Sequence, residues 1–165
     1  MNRESRDRSA VQGESFSVRQ LTSPSVREDE ALAEIFDQYR VHYGQTADVE
    51  QSARWLEDNL GAGRVRAFVA EDRARLVGFA TTVQVPASLR LSHFWQVRDL
   101  FVLPQHRRLG IGRALLGAVR SAAAASGALC LVLQTEEEND PALALYAEAG
   151  FVAVVGYRAL TLTLD

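Results

Sequence analysis

Apolar and polar positions alternate over residues 16–21, the period of a half-buried strand. Past Ser23-Pro24-Ser25 the period lengthens: Leu32, Ile35, Phe36, Tyr39 and Tyr43 recur at helical spacing, and Ser25 with Glu28 spells a capping box. Asp48 and Gln51 open a second helix with Val49, Leu56 and Leu60 on its apolar side, ended by Gly61-Ala62-Gly63. Residues 67–71 and 75–85 flank Asp72-Arg73-Ala74 as a hairpin, residues 86–92 form a loop, and residues 94–103 a strongly apolar strand. Pro104 stops that strand because it cannot donate to a ladder. Ile111, Ala114, Leu115, Ala118, Val119 and Ala122 then mark a helix with one apolar stripe, ending at Gly127. Residues 129–134 read as a short buried strand. Asp140-Pro141 reads as a cap and first turn of a helix running to Gly150. Residues 151–155 and 158–164 close the chain as two strands. The order β-α-α-β-β-β-α-β-α-β-β predicts an α/β (α+β) fold, a mixed sheet with helices on its faces. It spans one domain, 16–165, behind a disordered polar tail at 1–15.

Composition narrows the function. A chain of 165 residues, 47% hydrophobic and 24% charged, has the make-up of one soluble domain. No apolar run approaches the roughly 20 residues a spanning helix needs, and residues 1–15 lack the apolar centre of a secretory signal. The expectation is therefore a cytoplasmic protein with no membrane partner. The formal charge of −3 gives no global attraction to nucleic acid. The single cysteine, Cys130, excludes an internal disulfide and is expected as a small buried hydrophobe. His42, His93 and His106 show no metal-ligand spacing, so no metal is expected. There is no lysine, so every cationic side chain is an arginine and any basic site is local.

Such a site is spelled by residues 97–116, where a buried strand runs into a loop of arginines and glycines that opens directly into the amphipathic helix. The first amides of that helix lack internal partners, and its dipole places partial positive charge there. Gly110 and Gly112 let a phosphate approach the main chain, and Arg107, Arg108 and Arg113 can add charge-assisted hydrogen bonds. The spelling excludes a P-loop, which needs Lys-Ser/Thr. A dinucleotide fingerprint fails because Leu115 stands where a third Gly or Ala is required.

Arg107-Arg108-Leu109-Gly110-Ile111-Gly112 resembles the Arg/Gln-x-x-Gly-x-Gly/Ala signature of the GNAT family of N-acetyltransferases. The likeness extends through Asp99-Leu100-Phe101-Val102-x-Pro104 upstream and through Asn139, Ala142, Tyr146 and Gly150-Phe151 downstream. Arg108 departs from the pattern, since the family often has glycine there. The resemblance implies a mostly antiparallel sheet splayed at a bulge, with acetyl-coenzyme A as co-substrate. Its pyrophosphate would sit on Arg107, Arg108, Leu109, Gly110, Ile111, Gly112 and Arg113, and its pantetheine arm along Phe101, Val102 and Leu103. An amide at Phe101 or Val102 would stabilise the oxyanion of the thioester.

By the same resemblance, Asn139 contacts the pantetheine arm or caps the helix at Pro141. Tyr146 protonates the departing thiolate or serves as a core aromatic. Asp99 is the candidate base for the acceptor ammonium, directly or through water, or a structural charge partner. Arg98 takes the place of the second acid that polyamine-type members carry there. Tyr39, Arg40 and Tyr43 lie where related enzymes cover the acceptor, as recognition or packing residues. The acidic run Glu136-Glu137-Glu138 is solvated or helps attract a cationic acceptor. The implied reaction is acetyl transfer to a primary amine, best a small molecule, by direct attack in a ternary complex. The alternatives are a non-catalytic acyl-coenzyme A sensor and a protein N-terminal acetyltransferase. A homodimer is left open.

Overall fold

The computed structural model describes residues 16–21, 26–156 and 158–164; the tail at 1–15 and the serine of the expected capping box lie outside them. Phe16–Gln20 (β1) precedes two helices, Val26–His42 (α1) and Val49–Gly61 (α2). Then come the hairpin Arg66–Asp72 (β2) and Arg75–Ala87 (β3) and the strand Ser92–Val102 (β4). Ile111–Ala125 (α3), the two-residue strand Leu131–Val132 (β5) and Asp140–Glu148 (α4) complete the order. The sheet runs β1-β2-β3-β4-β5, antiparallel up to β4 and parallel between β4 and β5. It is the mixed α/β sheet expected. No helix among the described residues is long and apolar enough to cross a membrane.

The run Ala67-Phe68-Val69-Ala70 has no polar position, and β2 is accordingly buried on both faces. Ala67 and Val69 join Phe79 and Phe101 under Leu32, Ile35, Phe36 and Leu56 of α1 and α2. Phe68 and Ala70 face the other way, joining Val77, Trp95 and Val97 under Ile111, Leu115, Leu116 and Val119 of α3. Each such aliphatic side chain contributes about 1.5–3 kcal/mol by leaving water, so the sheet is clamped from both sides and its central strands are fixed.

Helices α1 and α2 are tied by Asp37, whose Oδ1 accepts from Arg40 at 2.7 Å, Ser52 Oγ at 2.9 Å and the Asp48 amide at 3.1 Å. Burial would raise this carboxyl, but those donors outweigh it and hold it below its ordinary 3.8. A lowered folded-state value stabilises the protein above the unfolded carboxylate range, and the contribution is lost as pH falls through it. Asp37→Ala is expected to cost about 3 kcal/mol at neutral pH and to flatten the decline below pH 4. Urea unfolding at pH 7, 4 and 3 checks this; identical acid sensitivity in both proteins would place the effect elsewhere.

The β2–β3 connection is a two-residue loop, Asp72 facing Arg75, with Arg73 (φ 48°) and Ala74 (φ 63°) both left-handed. That geometry follows the sheet's twist but favours Asn-Gly over the residues present. Ala74→Gly is expected to raise stability by about 1 kcal/mol, read as a higher urea midpoint; a lower midpoint would show that the turn carries no strain.

Four expectations change. Residues 151–156 and 158–164 carry no strand. The pattern there suits a strand, but a strand needs a neighbour, and β5 meets β4 only at Trp95–Leu131 and Gln96–Val132, with no described strand beyond it. Val152, Val154, Val155, Leu160, Leu162 and Leu164 are therefore exposed. Cys130 is exposed rather than buried; it precedes this short edge strand and contributes its carbonyl to the Trp95 amide at 3.1 Å. The loop at 86–92 shrinks to a helical turn, Ser88–Arg90, because β3 continues to Ala87. The cap of α4 is not Asp140 but Asn139, as one of the two readings of Asn139 had it, its side-chain oxygen accepting from the Ala142 amide at 3.3 Å.

Candidate active site

The site begins with a miscount between two strands. Thr81 faces Asp99 and Thr82 faces Val97, so Arg98 is one residue too many and β4 bulges there. On its other edge β4 is held by β5 only as far as Gln96, and beyond it the strands part. The gap opens into a cleft of about 1000 Å³, lined by Phe101 and Val102 on one side and by Asn139 and Tyr146 on the other.

One end of the cleft is the start of α3. Gly110 caps the helix in the left-handed region (φ 84°) and no side chain occupies the cap. Arg108 is also left-handed (φ 66°), a conformation glycine adopts without cost, which explains why the family pattern favours glycine there. At Gly112 an added Cβ would stand 3.1 Å from Leu145 Cδ2, so the bare position lets α3 lie against α4. The arginines are placed unequally. Arg107 Nε donates to the Val102 carbonyl at 3.0 Å, with its guanidinium 5.7 Å from the Phe101 ring centroid. Arg113 pairs with Glu148 of α4. Arg108 is exposed and lines the cleft.

Tyr146 is set by the way α4 ends. Gly150 takes φ 91°, the Phe151 amide returns to the Tyr146 carbonyl at 2.9 Å, and the Gly150 amide to Ala147 at 3.0 Å. This Schellman turn folds Phe151 back onto Tyr146, ring centroids 5.9 Å apart. Gly150-Phe151 thus holds the tyrosine half-buried in the cleft wall. Burial foremost, then the charges of Tyr43 and Glu136, raises its phenol above the usual range, so it keeps its proton at neutral pH. Asn139 both caps α4 and lines the cleft, and its two amide protons are left over by the cap.

Asp99 is gripped from two elements. Tyr39 Oη donates to its Oδ1 at 2.8 Å, and buried Thr81 Oγ1 donates to its Oδ2. The Tyr39 ring packs edge-on against Phe79 and Phe101, the packing role read for it, while its hydroxyl is bonded to Asp99. Burial and then the Asp99 charge push the Tyr39 phenol far up, so it acts as a donor only. Tyr43 falls just past α1, its ring against Tyr39 at 5.1 Å. Its phenol too is raised, by burial and then by Glu136.

Not every expected residue reaches the cleft. Arg40 is spent on Asp37 and on Ser52 Oγ at 3.2 Å, away from it. The Leu103 amide donates to the Val77 carbonyl at 2.9 Å, and its side chain packs in the core. Leu109 is exposed outside the lining. Conversely, Thr81 and His42 join the site without having been singled out for it, while His106 reads from the sequence as part of the arginine-glycine loop or as solvated. His106 lines the cleft with Nε2 3.9 Å from Asp72. Thr81 could be found only from the pairing at the bulge, which no local pattern encodes.

Known proteins share the family and the fold of this chain. The model of the acetyltransferase (GNAT) family matches residues 29–151. An uncharacterised N-acetyltransferase of Bacillus subtilis, YhfO, is 33% identical over 127 residues, 77% of this chain and 85% of the relative. An N-alpha-acetyltransferase of Sulfurisphaera tokodaii is 29% identical over 140 residues, 71% of this chain and 82% of the relative. Among solved structures, a probable acetyltransferase superposes with a TM-score of 0.81 at 26% identity, covering 90% of this chain and 98% of that one. An aminoglycoside acetyltransferase from an uncultured soil metagenomic sample shares the fold, with a TM-score of 0.77 at 19% identity over 92% and 97% of the two chains. With the family match running from within α1 to the Phe151 turn, across both the bulged strand and the glycine loop, this chain belongs to the acetyltransferase (GNAT) family.

Proposed function

We propose that the chain transfers the acetyl group of acetyl-coenzyme A to a primary amine of a small molecule, by direct attack within a ternary complex. The observation that carries this reading is the edge of β4 beyond the bulge, which no described strand pairs, running up to the uncapped start of α3. An extended pantetheine arm pairs with such an edge as a strand would, and its pyrophosphate meets the helix amides. Arg108, Gly110, Ile111, Gly112 and Arg113 and the Phe101–Val102 main chain would hold the donor, with the spare Asn139 amide protons on its arm. The bound donor supplies an activated carbonyl.

The acceptor nitrogen attacks that carbonyl carbon, forming a C–N bond as the C–S bond breaks. Its ammonium proton passes to Asp99, directly or through water; an unperturbed alkyl amine, with a value near 10.4, must shed it first. The Tyr146 phenol gives its proton to the departing sulfur, and the second proton that the nitrogen sheds on becoming an amide restores the phenol through solvent. A main-chain amide at Phe101 or Val102 faces the carbonyl oxygen as charge grows there. Relatives named for aminoglycoside and for alpha-amine acetylation support an amine acceptor. The test is release of free thiol from acetyl-coenzyme A across a panel of amines, with the acetylated product identified by mass. Donor binding without thiol release from any amine would make the chain an acyl-coenzyme A sensor instead.

A further inference from the structure

We infer that Arg98 binds a carboxylate next to the reacting amine, which makes the acceptor a free α-amino acid; this deepens the acetyl-transfer reading and rests on it. On a regular strand, neighbouring residues point to opposite faces. The bulge cancels that alternation, and both Arg98 and Asp99 line the one cleft. Their surroundings differ. Asp99 is anchored through both oxygens, by Tyr39 from α1 and by Thr81 from β3. Arg98 is exposed, and no hydrogen bond or ion pair engages it among the described residues. Its fork of donors is thus free for bidentate recognition of a carboxylate.

An α-amino acid carries its ammonium and carboxylate on a single carbon. A fixed anion and an adjacent free cation on one short stretch of main chain complement that arrangement. A polyamine would instead bring its second cation against Arg98. A peptide N-terminus offers an uncharged amide where the carboxylate should be, so it is the poorer acceptor. Of the other cleft arginines, Arg107 is bonded to the Val102 carbonyl and Arg113 to Glu148, while Arg108, exposed like Arg98, stands ten residues further on in the loop that leads into α3 and is not beside Asp99 on the strand.

The test compares kcat/KM for α-amino acids, their carboxamides and dipeptides with the same N-terminal residue, using one enzyme preparation with acetyl-coenzyme A. The native protein should prefer the free acid over its amide by about 10- to 100-fold, the range of a charge-assisted hydrogen bond. Arg98→Ala should bring that ratio toward one, and Arg98→Glu should shift preference toward diamines. Because a ratio is read, any loss of folded enzyme cancels. Equal rates for acid and amide in the native protein, or a ratio unchanged in Arg98→Ala, would overturn the inference while leaving acetyl transfer standing. Donor binding with no amine acetylated would overturn acetyl transfer itself, and the inference with it.

Discussion

Gly112→Trp is expected to weaken acetyl-coenzyme A binding by about 100-fold or more. Position 112 lies in the first turn of α3, where unpartnered amides face the cleft, and a bulky side chain there keeps a phosphate from reaching them. Loss of two charge-assisted hydrogen bonds at about 1.5 kcal/mol each accounts for that factor. The structure adds a second consequence, since even a Cβ would press on Leu145 Cδ2 at 3.1 Å. Gly112→Ala separates the two effects: it crowds α4 without filling the cleft, so stability should fall slightly while affinity stays within a few-fold. Calorimetric titration together with thermal unfolding reads both. An unchanged dissociation constant in Gly112→Trp would remove the phosphate cradle from the account.

Tyr146→Phe is expected to lower kcat by about 100-fold, the lower range for loss of a general acid, with donor affinity nearly unchanged. The thiol of coenzyme A has an ordinary value near 8.5, so a departing thiolate gains from a proton delivered as the C–S bond breaks. Burial keeps the Tyr146 phenol protonated beyond its usual 10. The native enzyme should therefore not lose this acid, as pH rises, until above pH 10. The substitution preserves the ring and its packing on Phe151, so a fall in turnover belongs to the hydroxyl. If the variant turns over at the native rate, the proton comes from elsewhere.

The elements that bury a stripe or a face were legible from the spacing of apolar residues. The unbroken apolar run of β2 marks a strand covered on both faces and the stripe of α3 marks the side that meets the sheet, and both agree with the observed core. The glycine-led corner between β4 and α3 was legible for a related reason: glycines and an uncapped helix start are local features. Tertiary pairings were not. That Tyr39 would reach Asp99, 60 positions away, depends on the crossing of α1 over the sheet. That Arg98 would be the extra residue depends on how two strands count against each other. The final segments illustrate the opposite failure, since Val152, Val154, Leu160 and Leu162 have the alternation of strands and no described strand to pair with. Periodicity states what a segment can bury, and a partner decides whether it does.

The uncapped, glycine-led start of α3 also bears on how such a protein can change over generations. A grip made of main-chain amides is indifferent to most substitutions, since every residue but proline supplies the same donor. The rest of the lining, Arg98, Tyr43 and Glu136 among it, is written in side chains and is open to revision one codon at a time. If the proposed donor and acceptor ends are right, a lineage can exchange its acceptor while keeping its donor, and new chemistry at one end of the cleft need not endanger the other.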